Sequence, residues 1–333
     1  MRSRYHCRMN PQLEREIDDA ARLLEAGQLV AFPTETVYGL GADASNPAAL
    51  ARIFAAKGRP TDHPLIVHLA SPSQVRDWAR EFPEPAQQLA RAFWPGPLTL
   101  VLPRAAGVLD LVTGGQETVA LRVPSHAVAQ GLLRRFGRGI AAPSANRYGR
   151  VSPTCAAHVR EELGERIGLV LDGGDCEVGL ESTIVACRDG EVTLLRPGKI
   201  TLADLERVVG PVRTAGAAAP RVPGSLRSHY APSTPVELAS PDSIDRRCAE
   251  DPAAGRMAVL SRRPRPANCG VLAWRSLPAD PGGFGHALYA ALRELDASGA
   301  SRILAEVVPE GGDWAAIRDR LERASTRDLP DET

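Results

Sequence analysis

Asn10-Pro11 and Asn46-Pro47 each open a run with helical spacing, and each run ends at a glycine that leads into a short apolar stretch. An asparagine followed by proline starts a helix because the side chain caps an orphan N–H and proline has none to lose. After the first pair, Leu13, Ile17, Ala21 and Leu24 share one face up to Gly27, and Leu29–Phe32 reads as a buried strand. After the second, Leu50, Ile53 and Phe54 precede Gly58, and Leu65–Leu69 reads as the next strand. A chain built from this alternation buries its apolar faces by laying helices on a sheet, an α/β fold.

Further apolar runs predict strands at Leu98–Leu102, Val119–Val123, Ile140–Ala142, Leu169–Leu171, Ser182–Val185 and Val192–Leu195. Thr201 and Asp204 form a capping box for the next helix. One domain therefore spans residues 1–212. Composition then changes: Thr214–Pro235 is rich in Ala, Pro, Gly and Ser and has neither helical nor strand period, so 213–235 reads as a linker. Beyond it, strands are expected at Val236–Leu238, Met257–Leu260, Gly270–Ala273 and Arg302–Val307. Helices are expected near Ser243–Cys248, Phe284–Ala297 and Trp314–Ala324. That pattern fits a smaller Rossmann-like domain over 236–333.

The chain has 333 residues, enough for two cores, with 44% hydrophobic and 24% charged residues, as in ordinary globular proteins. Its 40 basic and 40 acidic residues cancel, which argues against a surface built mainly for nucleic acid or anionic lipid. Met1–Asn10 is polar and basic with no apolar run behind it, and no later run is long enough to span a bilayer, so a cytoplasmic location is expected. Cys7, Cys155, Cys176, Cys187, Cys248 and Cys269 are scattered without a C-x-x-C pair and read as reduced thiols rather than zinc ligands. No metal site is expected. Lys57 and Lys199 are the only lysines.

Gly39-Leu40-Gly41-Ala42-Asp43-Ala44 imitates a dinucleotide loop, but the helix begins at Asn46-Pro47, too late for its N-terminus to meet a pyrophosphate. The glycines read as turn residues. No P-loop or nucleophile elbow occurs. Lys57 and Arg59 flank Gly58 at a helix end, where they either grip polyphosphate or complement the helix dipole. His63 and His68 lie on opposite faces around a strand, wrong for a paired metal site. Arg122 ends a strand, as a carboxylate-recognising group or as an edge charge. Ala142-Pro143-Ser144-Ala145-Asn146 permits close backbone approach by a ligand, or is a turn. Glu181-Ser182-Thr183 and Arg196 add polar groups near strand ends.

In order along the chain, Pro33–Gly41, Ala56–Leu69, Phe93–Pro103, Ala120–His126, Ala142–Thr154, Gly179–Val185 and Leu194–Gly198 closely resemble the YrdC-like threonylcarbamoyl-AMP synthases. Ser228–Pro235 resembles the linker of their two-domain form. The resemblance implies a YrdC-like twisted mixed sheet with helices, and nucleotidyltransferase activity on L-threonine, bicarbonate and ATP with Mg2+. Thr36, His68, Arg122, Ala142 and Ser182 would then surround threonine. Arg59, His63, Thr118, Ser144, Ser152, Arg196 and Tyr230 would surround ATP. Lys57 and Arg59 would act as catalytic groups at the phosphates, and Tyr230 would be a rigid arm closing the nucleotide site. The product would pass to the tRNA threonylcarbamoyl-transferase machinery, with tRNA contact weak or indirect and no membrane involved. Two rival readings are an RNA-binding module and a hydrogenase-maturation-type carbamoyltransferase. The latter would carry a zinc finger, for which no C-x-x-C exists.

Overall fold

The computed structural model describes residues 10–216, 219–224, 229–251 and 253–326; Cys7, Ser225 and Ser228 lie outside them. The first domain runs α1 (Pro11–Glu25), β1 (Val30–Phe32), β2 (Gly39–Asp43), α2 (Pro47–Lys57), β3 (Ile66–His68), α3 (Glu84–Phe93), β4 (Leu98–Pro103), α4 (Asp110–Thr113), β5 (Thr118–Arg122), α5 (Ala127–Phe136), β6 (Ile140–Ala141), α6 (Ala156–Leu163), β7 (Leu169–Val170), β8 (Thr183–Arg188), β9 (Glu191–Arg196), α7 (Leu202–Val209) and β10 (Arg213–Thr214). The expected caps form. Asn10 and Asn46 accept N–H bonds from their helices' first turns, and Thr201 and Asp204 close their box. Gly58 ends α2 in the left-handed region at φ 64°.

The strands join into one ten-stranded mixed sheet, ordered β10-β9-β8-β4-β5-β3-β6-β2-β1-β7. Gly39 and Gly41 are not turn residues, as the sequence suggested, but lie inside β2. A Cβ on Gly41 would stand 2.8 Å from the Phe32 ring and 2.9 Å from the Ile140 side chain, so glycine here permits close packing. The first sheet also reaches two residues into the segment expected as linker, because β10 pairs in parallel with β9.

The placement of helices on this sheet positions the site. On one face α1 and α5 cover only the β1–β6 end, through Ile17, Leu24, Phe32, Leu132 and Phe136. Farther along that face the pleat presents Ile66, Val101, Ala120, Ile184 and Ala186, and these are covered by Val222 from the linker. The opposite face is buried beneath a large core that includes Leu50, Ile53, Leu89 and Leu205 from α2, α3 and α7.

The second domain runs β11 (Val236–Ala239), α8 (Pro241–Glu250), β12 (Met257–Ser261), β13 (Ala273–Ser276), α9 (Pro281–Asp296), β14 (Arg302–Glu306) and α10 (Ala315–Ser325). Its sheet is parallel, ordered β11-β14-β12-β13. Strand β13 starts three residues later than its apolar run predicts, because the Arg265 guanidinium takes the carbonyls of Cys269 and Val271. Phe284, Leu288, Tyr289 and Ile317 of this domain share one core with Val37, Val151 and Leu180 of the first and with Tyr230 of the linker. No helix among the described residues is long and apolar enough to cross a membrane.

Candidate active site

Parallel pairing of β3 and β5 sets His68 directly beside Arg122. Thr118, Ala120 and Arg122 alternate onto the face that holds Ile66 and His68, and Ser182 follows Ile184 onto it from β8. Around these residues lies a cavity of about 50 Å3, lined by Thr36, Arg59, His68, Arg122, Ala142, Ser144, Glu181, Ser182, Arg196, Gly224, His229 and Tyr230 among others. That volume holds roughly three or four waters. All five residues expected around threonine line it, as do Arg59, Ser144, Arg196 and Tyr230 from the set expected around ATP.

Arg122 is buried, and three of its N–H groups are committed. Nη2 pairs with Glu35 at 2.7 Å, Nη1 donates to Thr36 Oγ1 at 2.8 Å, and Nε donates to the Gly96 carbonyl at 3.3 Å. The other Glu35 oxygen accepts from the Ser125 N–H. Glu35 therefore aims the guanidinium, although only its place between Thr34 and Thr36 marked it in the sequence. Arg59 donates to the Pro64 carbonyl and lies 5.7 Å from the Tyr148 ring centre, and its Nε has no partner among the described residues. Arg196 donates to the Ser182 and Pro223 carbonyls, so the linker sits on one edge of its guanidinium.

Four expected residues do not line the cavity. The Lys57 ammonium is turned inward onto the carbonyls of Ser144, at 2.6 Å, and of Asn146. Burial, then Arg59, drives its pKa well below the ordinary lysine value. Lys57 thus pins the loop carrying Ser144 instead of reaching outward. Ser152 donates to Glu181 at 2.6 Å from behind the wall. His63 reaches the site through a row of rings, His63–Tyr148–His229–Tyr230, with centroids 5.5, 6.2 and 4.1 Å apart. Thr118, four residues before Arg122 on β5 and so about 13 Å away, lines a second, larger space of about 700 Å3 with Ala186 and Arg221. Val222 separates the two.

Tyr230 is nearly fully buried at φ 60°, and its hydroxyl has no partner among the described residues. A Cβ on Gly224 would lie 2.1 Å from that hydroxyl, so linker residues 219–224 and 229–235 meet here, and only glycine fits. Burial, then Arg122, holds His68 down at about 3, and burial holds His229 at about 3. Both are neutral at physiological pH. The unfolded chain protonates them near 6.5 and the folded chain only near 3, so stability falls as pH drops through 6.5. Between pH 7 and 5 each should cost roughly 2 kcal/mol. Urea midpoints at the two pH values should shift accordingly, and less so in His229→Gln.

No group of three His, Cys, Asp or Glu side chains placed for a metal occurs among the described residues. The two carboxylates nearest the cavity, Glu35 and Glu181, are both committed to arginines.

Both domains of the chain are similar to known proteins. Residues 22–198 match the Sua5/YciO/YrdC family, described as telomere recombination, and residues 200–326 match the family described as the C-terminal domain of threonylcarbamoyl-AMP synthase. A threonylcarbamoyl-AMP synthase of Pyrococcus abyssi is 42% identical over 328 residues, 94% of each chain. One from Bacillus subtilis is 42% identical over 327 residues, 93% of each chain. The crystal structure of P. abyssi Sua5 complexed with L-threonine is similar at a TM-score of 0.87, with 41% identity over 94% of each chain. The chain belongs to the Sua5/YciO/YrdC family, in the form that carries the second domain.

Proposed function

We propose that this chain is an L-threonylcarbamoyladenylate synthase, a nucleotidyltransferase that converts L-threonine, bicarbonate and ATP to threonylcarbamoyl-AMP and pyrophosphate. The observation that carries this reading is the lining of one cavity by two kinds of arginine. Arg122, aimed by Glu35 beside neutral His68, suits an amino-acid carboxylate, while Arg59 and Arg196 suit phosphate. The names of the relatives support it.

The chemistry needs no protein nucleophile. The neutral threonine amine attacks the carbon of bicarbonate, an N–C bond forms and water leaves. A carbamate oxygen then attacks the α-phosphorus, and the bond to the bridging oxygen breaks with release of pyrophosphate. The protein supplies orientation and positive charge. In this reading Arg122, Thr36 and Ser182 fix threonine, and Arg59, Ser144 and Arg196 meet the phosphates. Lys57 acts through the Ser144 loop. Mg2+ would enter with the triphosphate, ligated by phosphate oxygens, because Glu35 and Glu181 are already paired.

A cavity of about 50 Å3 cannot accept a nucleotide. In this reading residues 219–224 lift to admit ATP, which would free the Arg196 edge held by the Pro223 carbonyl and join the cavity to the space at Thr118. Reclosure under Tyr230 would keep water from a hydrolysable mixed anhydride until it passes to the tRNA-modifying transferase. The deciding experiment is pyrophosphate release from ATP with each amino acid in turn, with and without bicarbonate. Release should require both threonine and bicarbonate. Release that ignores either one would refute the assignment, and tRNA bound more tightly than ATP would favour an RNA-binding module.

A further inference from the structure

Two side chains of the second domain, Arg320 and Tyr289, reach the candidate site. Arg320, in the middle of α10, is fully buried. Its Nε donates to Glu181 Oε2 at 2.9 Å, its Nη2 donates to the Pro197 carbonyl at 3.1 Å, and its guanidinium lies 5.1 Å from the Tyr230 ring centre. From α9, the Tyr289 hydroxyl donates to the same Glu181 oxygen at 2.9 Å, and its ring stacks on Tyr230 with centroids 5.8 Å apart.

These contacts fall on three pieces of the cavity. Glu181 precedes Ser182 and lines the wall itself, Pro197 follows Arg196, and Tyr230 is the linker's aromatic arm. An apolar side chain of similar volume would glue two domains together at least as well, because taking an arginine and a glutamate out of water costs several kcal/mol before they attract. What an apolar residue lacks is a planar fork that orients a carboxylate, a carbonyl and a ring at once. We propose that Arg320 and Tyr289 are positioning residues of the synthase site: the second domain holds Glu181 and Tyr230 in the geometry in which Ser182, Arg196 and the Tyr230 hydroxyl face the substrates.

The electrostatics agree. Burial works against a charge on Glu181, but Arg320 and then Arg196 outweigh it and hold the carboxyl at about 2. The carboxylate therefore remains an acceptor for both domains across the physiological range. The Glu181 Oε1 atom left by Arg320 and Tyr289 accepts from Ser152, one of the residues expected around ATP. Arg293, also on α9, crosses the same domain boundary to the Val151 carbonyl and to Glu162 at 3.2 Å, but it lines no part of the cavity and supplies the internal control.

The proposal rests on the synthase reading, and the test separates the two. Full-length wild type, Arg320→Lys, Tyr289→Phe and Arg293→Ala are compared by melting temperature, by ATP-induced melting shift, and by kcat and KM for threonine-dependent pyrophosphate release. Arg320→Lys keeps the charge and loses the fork, and Tyr289→Phe keeps the ring and loses the hydroxyl. Both should stay folded, with kcat down about tenfold for the first and about threefold for the second, KM for threonine within twofold, and a smaller ATP-induced shift. Arg293→Ala should lower the melting temperature and leave kcat and both KM values within twofold. The proposal is overturned if folded Arg320→Lys and Tyr289→Phe match wild type in kcat and ATP-induced shift. It is also overturned if Arg293→Ala loses as much kcat for the same fall in melting temperature. If wild type shows an ATP-induced shift but no threonine-dependent release, the synthase reading fails, and the shift in the two variants still decides the positioning role. No ATP-induced shift in wild type overturns both.

Discussion

Arg122→Ala should abolish saturation by threonine and destabilise the protein in the same stroke. Two charge-assisted bonds to a substrate carboxylate are together worth about 3–6 kcal/mol, so kcat/KM for threonine should fall by about 10²–10⁴-fold. The second effect comes from the partner left behind. Glu35 is buried, and alanine removes the cation 2.7 Å from its carboxylate. Breaking such a pair from one side costs about 3–5 kcal/mol, because the remaining charge stays out of water. The two effects separate in the double variant. Adding Glu35→Gln to Arg122→Ala should return most of the urea midpoint and none of the turnover. Recovery of both would mean that Arg122 only maintains the fold around position 35.

Arg59→Ala should act on the other substrate and leave the fold less disturbed. Burial lowers the Arg59 pKa to about 10, still well above neutrality, so a full positive charge faces the cavity. Arg59 bonds within the protein to the Pro64 carbonyl, and no carboxylate pairs with it at bonding distance among the described residues, so truncation strands no buried anion. Losing one or two charge-assisted bonds to phosphate should lower kcat/KM for ATP by about 10–100-fold. Threonine affinity, measured by calorimetry, should change by less than twofold. An ATP affinity equal to wild type would remove Arg59 from the phosphate-binding set. The contrast with Arg122 is itself informative: two buried arginines in one cavity should differ sharply in what their removal does to stability, because only one holds a buried carboxylate.

Much of this site is legible in the sequence. The Asn-Pro caps and glycine stops delimited α1 and α2, and the period-2 runs located most strands. Nine of the site residues that the family resemblance implies line the cavity. These signals are local, and a local signal survives folding when capping and alternation decide the geometry over a few residues. Three matters were decided elsewhere. Alternation shows that Thr118, Ala120 and Arg122 share a face, but not that α1 and α5 leave that part of the face for Val222 to cover and divide. Lys57, a phosphate-binding residue by the family resemblance, turns inward because the carbonyls of Ser144 and Asn146, 87 and 89 residues away in the loop after β6, converge on it. Arg320 carries no mark in the sequence, since on α10 it resembles Arg318 and Arg323, and its carboxylate partner lies 139 residues away. Propensity and periodicity act between near neighbours, whereas the pairing of buried charges depends on which surfaces the folded domains bring together. Local patterns therefore set the elements and most of the chemistry at the cavity. Which charges are already paired, and which remain to face a substrate, follows from the surfaces that the folded domains bring together.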